Sequence, residues 1–278
     1  MRGKQHPLDD YIRYWMLPTI WCPGCGNGIV LQALARALKE LGLRKEEVVL
    51  VCGIGCSGRM AMYLDVDTAH TLHGRAIPFA IGVKLAKPHL KVIVVGGDGD
   101  LMAIGCSHLI HAARRNVEIT TIMINNGVYA MTGGQVAPTT PHGVKTTTTP
   151  YGNLEEPFNA VSLMATSGAV YVARWTVAHP IQLKESIKKA MLKEGFSFIE
   201  VISTCPTMYG KFIGLNDPAS MIRHLKKISI IKSHVDPSKA IIDWNNLIVC
   251  GEFIDREREG FTRRIRRCVN EARGADRR

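Results

Sequence analysis

The sequence predicts an α/β protein with a doubly wound parallel sheet, and three observations carry that expectation. Five apolar, β-rich runs alternate with helical patterns between Gly28 and Ser203, the order that builds parallel strands joined by crossover helices. The run Lys91 to Gly96 is a continuous β-branched stretch, as expected of a strand covered on both faces. Two of the runs end in small polar residues, at the edge where open parallel sheets bind ligands.

The strand candidates are Val48 to Gly53, Lys91 to Gly96, Ile119 to Ile124, Ala169 to Ala173 and Phe198 to Ser203. Helices are expected at Gly28 to Leu41, Ile77 to Ala86, Leu101 to Arg115, Pro157 to Thr166 and Ile181 to Lys193. Gly42 suits the stop of the first, and Pro180 opens the last at a position that tolerates proline. Residues 127–152 are rich in Gly, Pro and Thr, including TGGQ and TTTTPYG. A loop of that length inside a compact domain is usually functional. Beyond Pro206 the pattern weakens into short polar and basic segments, so residues 1–210 are expected to form the ligand-binding domain and 211–278 a basic extension.

The run KVIVVG leads into Gly97-Asp98-Gly99, and the next run ends in Asn125-Asn126 after 25 intervening residues. Gly97 and Gly99 permit a sharp turn and close approach of a ligand. The helix expected from Leu101 begins where free amides would face a phosphate. Asp98 and Asn126 lie at the carboxyl ends of two strands and can converge on one hard cation, so the pair reads as a magnesium diphosphate site.

Composition bounds the alternatives. The chain has 278 residues, of which 46% are apolar, enough for a substantial core. Its longest apolar stretches, such as VVLVCGIGC, are about half the length of a membrane-spanning helix. The first residues, MRGKQHPLDDYIRYW, contain no apolar signal region, so a cytoplasmic location is expected. Of the net charge of +11, +6 falls after residue 205, where 15 Lys and Arg face 9 Asp and Glu. RERE and RRIRR lack aromatic interleaving, so no nucleic-acid partner is expected.

Eight cysteines in such a chain suggest thiols, metal ligands or redox groups rather than a disulfide framework. Cys22 and Cys25 form a C-x-x-C unit, while Cys56 and Cys205 follow the first and last strands, on the same sheet edge as Asp98 and Asn126. These four suit a [4Fe-4S] cluster. Zinc on Cys22, Cys25, Cys52 and Cys56 is an alternative, although Cys52 sits inside an apolar strand. A thioredoxin-like pair and plain thiols also remain open. Cys106, Cys250 and Cys268 have no evident partners.

Together these residues resemble the β subunits of 2-oxoacid:ferredoxin oxidoreductases, in particular the 2-oxoglutarate or broad 2-oxoacid branch. WCPGCGNGIV, GIGCSGR, TAHTLHGRAIPFAIGVKLA, GGDGD, NNGVYAMTGGQ and STCP occur in that family's order and spacing, across roughly residues 11–210. The resemblance implies a thiamine-diphosphate-binding fold of the diphosphate type, with a [4Fe-4S] cluster on Cys22, Cys25, Cys56 and Cys205. Magnesium would be held by Asp98, Asn126 and the Val128 carbonyl. Thiamine diphosphate would contact Ile54, Gly55, Cys56, Ser57, His73, Gly99, Asp100, Ala130 and Met131. Arg59 would face the substrate carboxylate, and His73, unless it only caps a helix, would stand near the cofactor as a neutral imidazole. The implied reaction is coenzyme A-dependent oxidative decarboxylation of a 2-oxo acid, with electrons passing to ferredoxin. Thiamine enzymes also need a glutamate against the aminopyrimidine ring, which this family takes from an α subunit, in some members fused with γ.

Two rival functions are weaker. A nicotinamide-dependent oxidoreductase would need a third glycine where Met102 stands. A zinc-binding, non-catalytic interaction subunit would leave Asp98 and Asn126 idle.

Overall fold

The computed structural model describes Leu8 and residues 10–275. Most of the N-terminal stretch read above for an export signal lies outside the described residues. The strands are β1 (Val48–Cys52), β2 (Asp67–His70), β3 (Lys91–Gly97), β4 (Ile119–Asn125), β5 (Val128–Tyr129), β6 (Gln135–Val136), β7 (Tyr171–Thr176), β8 (Ser197–Ile202), β9 (Ser229–Ile231), β10 (Ile242–Asp243) and β11 (Leu247–Asp255). The helices are α1 (Asn27–Glu40), α2 (Met60–Tyr63), α3 (Ala76–Ala86), α4 (Cys106–Arg115), α5 (Ala160–Ser167), α6 (Pro180–Leu192), α7 (Tyr209–Phe212), α8 (Pro218–Ile228) and α9 (Phe261–Ala275).

The main sheet runs β10-β11-β7-β8-β4-β3-β1-β2. From β7 to β2 every pairing is parallel. All seven residues of β4 and all six of β7 and β8 are buried, as in strands covered on both faces. One core holds residues of α1 and α6 such as Leu34 and Ile187, and the other holds residues of α3, α4 and α5 such as Ile77, Leu109 and Met164. Helices therefore cover both faces of the sheet.

The five expected strands are present, with small shifts. Asn159 caps α5 by accepting from the Ser162 N–H at 3.2 Å, so that helix starts at Ala160 rather than Pro157. The helix expected from Leu101 is divided: a π-helical segment spans Gly99–Ile104 and α4 begins at Cys106. β2 escaped the sequence reading because DTAH is polar and only partly buried at the sheet edge. Residues beyond 210 do more than extend the domain: β11 pairs antiparallel with β7 and carries β9 and β10 beside it. A bulge between Glu252 and Ile254 interrupts its apolar pattern, which hid it from a search for regular runs.

Candidate functional site

β1 and β3 are sheet neighbours whose chain connections depart in opposite directions, β1 to β2 on one side and β3 to β4 on the other. Such a switch point opens a crevice beyond the carboxyl ends of the strands. A cavity of about 240 Å³ lies there. Its walls come from the turns after β1 (Ile54, Gly55, Cys56, Ser57), β3 (Gly97, Asp98, Gly99, Asp100) and β4 (Asn126, Val128, Tyr129, Ala130, Met131, Thr132), with His73 from the loop before α3. Every residue expected to touch cofactor or magnesium therefore lines one space.

Asp98 is 2% exposed, and its Oδ2 accepts from Thr139 Oγ1 at 2.5 Å. Burial pushes its carboxyl up to about 6, against the pull of donors on Thr139, Gly99 and Gly127. Among the described residues it pairs with no cationic side chain, so its charge is left for a ligand to neutralise. Asn126 Oδ1 accepts from the Val128 N–H at 3.1 Å, closing the turn that brings the Val128 backbone to the cavity. Gly127, at φ +74°, makes that turn feasible.

In the Gly-Asp-Gly segment it is Gly99 that is needed for its small size. Neither Gly97 nor Gly99 has positive φ, and the chain turns from β3 into helical backbone at Asp98. A Cβ on Gly99 would sit 2.2 Å from the Tyr129 ring. Tyr129 in turn donates from its hydroxyl to the Gly99 carbonyl at 3.2 Å. The sequence reading missed Tyr129, whose only signal was its place just beyond Asn125-Asn126.

Asp100 accepts from the Gly74 N–H at 2.7 Å and the Ile54 N–H at 3.3 Å. Its Oδ1 lies 2.8 Å from His73 Nδ1, while Oδ2 is buried without a hydrogen-bond partner. Burial raises this carboxyl, with the Gly74 amide and His73 opposing. His73 does not cap α3; Arg75 holds that position.

A second cavity, about 220 Å³, adjoins the first. Cys22, Cys25, Cys56 and Cys205 line it together with Arg59. Three contacts bring the separate segments together. The Gly26 N–H donates to the Thr204 carbonyl at 3.2 Å, Thr204 Oγ1 donates to the Gly24 carbonyl at 2.8 Å, and Trp21 Nε1 donates to the Cys56 carbonyl at 2.7 Å. Burial pushes the Cys25 thiol up to about 12 and raises Cys56 and Cys205 as well, with the cysteines reinforcing one another. Among the described residues no three His, Cys, Asp or Glu side chains gather about one point as ligands of a single ion do. Cys52 is fully buried in β1 and is absent from this lining, so the alternative zinc set is not assembled. Arg59 makes no ion pair among the described residues, and its Nε is buried without a hydrogen-bond partner. Cys56, Asn126, Ala130 and Met131 line both cavities.

The sequence matches the family described as thiamine pyrophosphate enzyme, C-terminal TPP binding domain, over residues 32–201. It is 50% identical to the 2-oxoglutarate synthase subunit KorB of Methanocaldococcus jannaschii, over 95% of this chain and 97% of that protein. It is also 50% identical to the 2-oxoacid:ferredoxin oxidoreductase subunit beta of Saccharolobus solfataricus, over 67% of this chain and 62% of that one. A solved structure of 2-oxoglutarate:ferredoxin oxidoreductase from Magnetococcus marinus, with 2-oxoglutarate, coenzyme A and succinyl-CoA bound, superposes with a TM-score of 0.85 at 33% identity, covering 98% of this chain and 92% of that one. With both the cavity geometry and these likenesses in hand, the chain belongs to the thiamine pyrophosphate enzymes and, among them, to the β subunits of 2-oxoacid:ferredoxin oxidoreductases.

Proposed function

We propose that this chain, joined to an α subunit, catalyses coenzyme A-dependent oxidative decarboxylation of a 2-oxo acid such as 2-oxoglutarate. The products are acyl-CoA and carbon dioxide, with two electrons leaving through a [4Fe-4S] cluster to ferredoxin. The observation that carries this reading is the pair of adjoining cavities, one built for a cation and a diphosphate and the other lined by four cysteines.

In the first cavity Asp98, Asn126 and the Val128 carbonyl hold magnesium, whose charge answers the buried carboxylate. Ile54, Gly55, Cys56, Ser57, Gly99, Asp100, Ala130 and Met131 contact thiamine diphosphate, which supplies the carbanion and electron sink that decarboxylation requires. His73 turns Nδ1 towards Asp100, which leaves Nε2 to meet a ligand as a donor or acceptor. The cavity's own carboxylates are Asp98 and Asp100; the glutamate for the aminopyrimidine ring is assigned to the α subunit. Arg59, in the lining of the second cavity with no ion pair among the described residues, binds the substrate carboxylate. In the second cavity Cys22, Cys25, Cys56 and Cys205 would hold the cluster, which would accept the electrons one at a time.

The assembled complex, purified without oxygen, should contain about four iron and four sulfide per copy of this chain and retain thiamine diphosphate only when magnesium is present. Zinc without iron, or turnover by the isolated chain, would overturn the proposal. Comparing 2-oxoglutarate, pyruvate and other 2-oxo acids in that complex identifies the substrate.

A further inference from the structure

Two charged side chains lie where the sheet is most apolar. Arg174 in β7 and Glu200 in β8 are register partners on adjacent strands, and both are fully buried. Arg174 Nε donates to Glu200 Oε2 at 2.6 Å. The other donors of the guanidinium go to the Ala240 carbonyl at 2.9 Å, the Ile241 and Val249 carbonyls at 3.3 and 3.4 Å, and Asn159 Oδ1 at 3.1 Å. Glu200 uses its second oxygen differently: Oε1 accepts from Asn125 Nδ2 at 2.8 Å. Asn125, also fully buried, then accepts from the Gly127 N–H through Oδ1 at 3.1 Å. Thr140 Oγ1 donates to the Gly127 carbonyl at 2.6 Å.

A buried ion pair contributes little net stability compared with apolar residues of the same shape, so stability alone is a poor reason for this one. Its geometry suggests another role. Glu200 presents an acceptor to Asn125, which fixes the amide with its oxygen towards Gly127. The peptide so held is the centre of the turn that carries Asn126 on one side and Val128 on the other.

We propose that Asn125 and Glu200 are positioning residues for the cation-binding turn, and that Arg174 ties the carbonyls of residues 240–249 into the same assembly. This rests on the magnesium site proposed above. The C-terminal segment then braces the cofactor site from behind without contributing a group to it.

The polarity of the chain of hydrogen bonds supplies the test. In Glu200→Gln the amide oxygen is kept as acceptor by the Arg174 guanidinium, so the NH₂ faces Asn125, whose side chain turns its oxygen towards Gln and its NH₂ towards the Gly127 N–H, where two donors meet. Adding Asn125→Asp restores an acceptor on both sides. The assembled enzyme, stripped of cation, is titrated with magnesium chloride at fixed thiamine diphosphate, and its melting temperature is measured without either. Asn125→Ala and Glu200→Gln should raise the half-saturating magnesium concentration about 10- to 100-fold, as loss of supporting groups around metal ligands does. The N125D/E200Q variant should recover the parent value. Parent-like binding by Asn125→Ala, or a double variant no better than Glu200→Gln, would overturn the proposal. So would a double variant that fails to assemble alongside Glu200→Gln, or a fall in metal-free melting temperature that the double variant leaves uncorrected. If the parent itself binds thiamine diphosphate without regard to magnesium, the cation site fails first.

Discussion

The two cavities share a wall yet are organised in opposite ways. In the first, the groups proposed to meet cation and cofactor are held by the protein itself: Thr139 fixes Asp98, the Gly74 and Ile54 amides fix Asp100, and the turn at Gly127 fixes Asn126. In the second, the cysteines come from three loops, and burial keeps Cys25, Cys56 and Cys205 as neutral thiols. A bound metal must displace those protons, so that site is completed by its occupant. The diphosphate site is preorganised by hydrogen bonds, and the sulfur site is organised by chemistry.

The sharpest way to break this contrast is a pair of variants, one in each cavity. Cys205→Ser should lose iron and sulfide yet keep magnesium-dependent thiamine diphosphate. Asp98→Asn should do the reverse and weaken magnesium more than about 100-fold, beyond the loss typical of a supporting residue. Metal analysis and cofactor release on the same samples decide it; joint loss in both variants would mean one cooperative site.

Arg59 lines the second cavity, three residues after Cys56 in the shared wall. Replacing it with Ala should raise the KM for a 2-oxo acid about 10- to 100-fold, the range of a charge-assisted hydrogen bond, with cluster and cofactor content unchanged. Equal loss of both would mark Arg59 as structural.

A smaller effect separates the cavities by pH. The Asp98 carboxyl is raised to about 6 in the folded chain by burial, so below that pH the folded state holds a proton that the unfolded state has released. Its contribution to stability therefore declines as pH rises from about 4 to the folded value, and above it the ionised group would be stabilised by the proposed cation instead. Magnesium should raise the melting temperature more at pH 7 than at pH 5, and Asp98→Asn should flatten that difference.

The smallest effect lies farthest from the shared wall. Arg263, Arg266 and Arg267 on α9 are exposed. In contrast, Arg256 and Arg258 donate to the Ala169 and Ala113 carbonyls and tie the segment to the domain. If the basic surplus assists ferredoxin docking, neutralising the exposed three should slow ferredoxin reduction at low salt and leave it unchanged at high salt. An unchanged rate at low salt would count against that role.

The buried strands were legible because burial on both faces favours long apolar runs, as in VVLVC and KVIVVG. The edges were harder to read: DTAH is polar, and LIVCGEFID is bulged. The cavity lining was legible through motifs because its ligands follow strands directly. Thr139 was not, for it lies within a Thr- and Pro-rich loop whose register no periodicity reveals. Arg174 and Glu200 were visible as charges inside YVARWT and SFIEVI, but only the strand register shows that they face each other.

Cys56, Asn126, Ala130 and Met131 make the wall between the cavities only a residue or so thick. Matter and charge meet it as different barriers. A carboxylic acid or a thioester needs an opening to pass, whereas an electron needs only a short path through bonds and close contacts. If the proposed occupants are in place, the same partition keeps organic intermediates away from the iron and works as a wire.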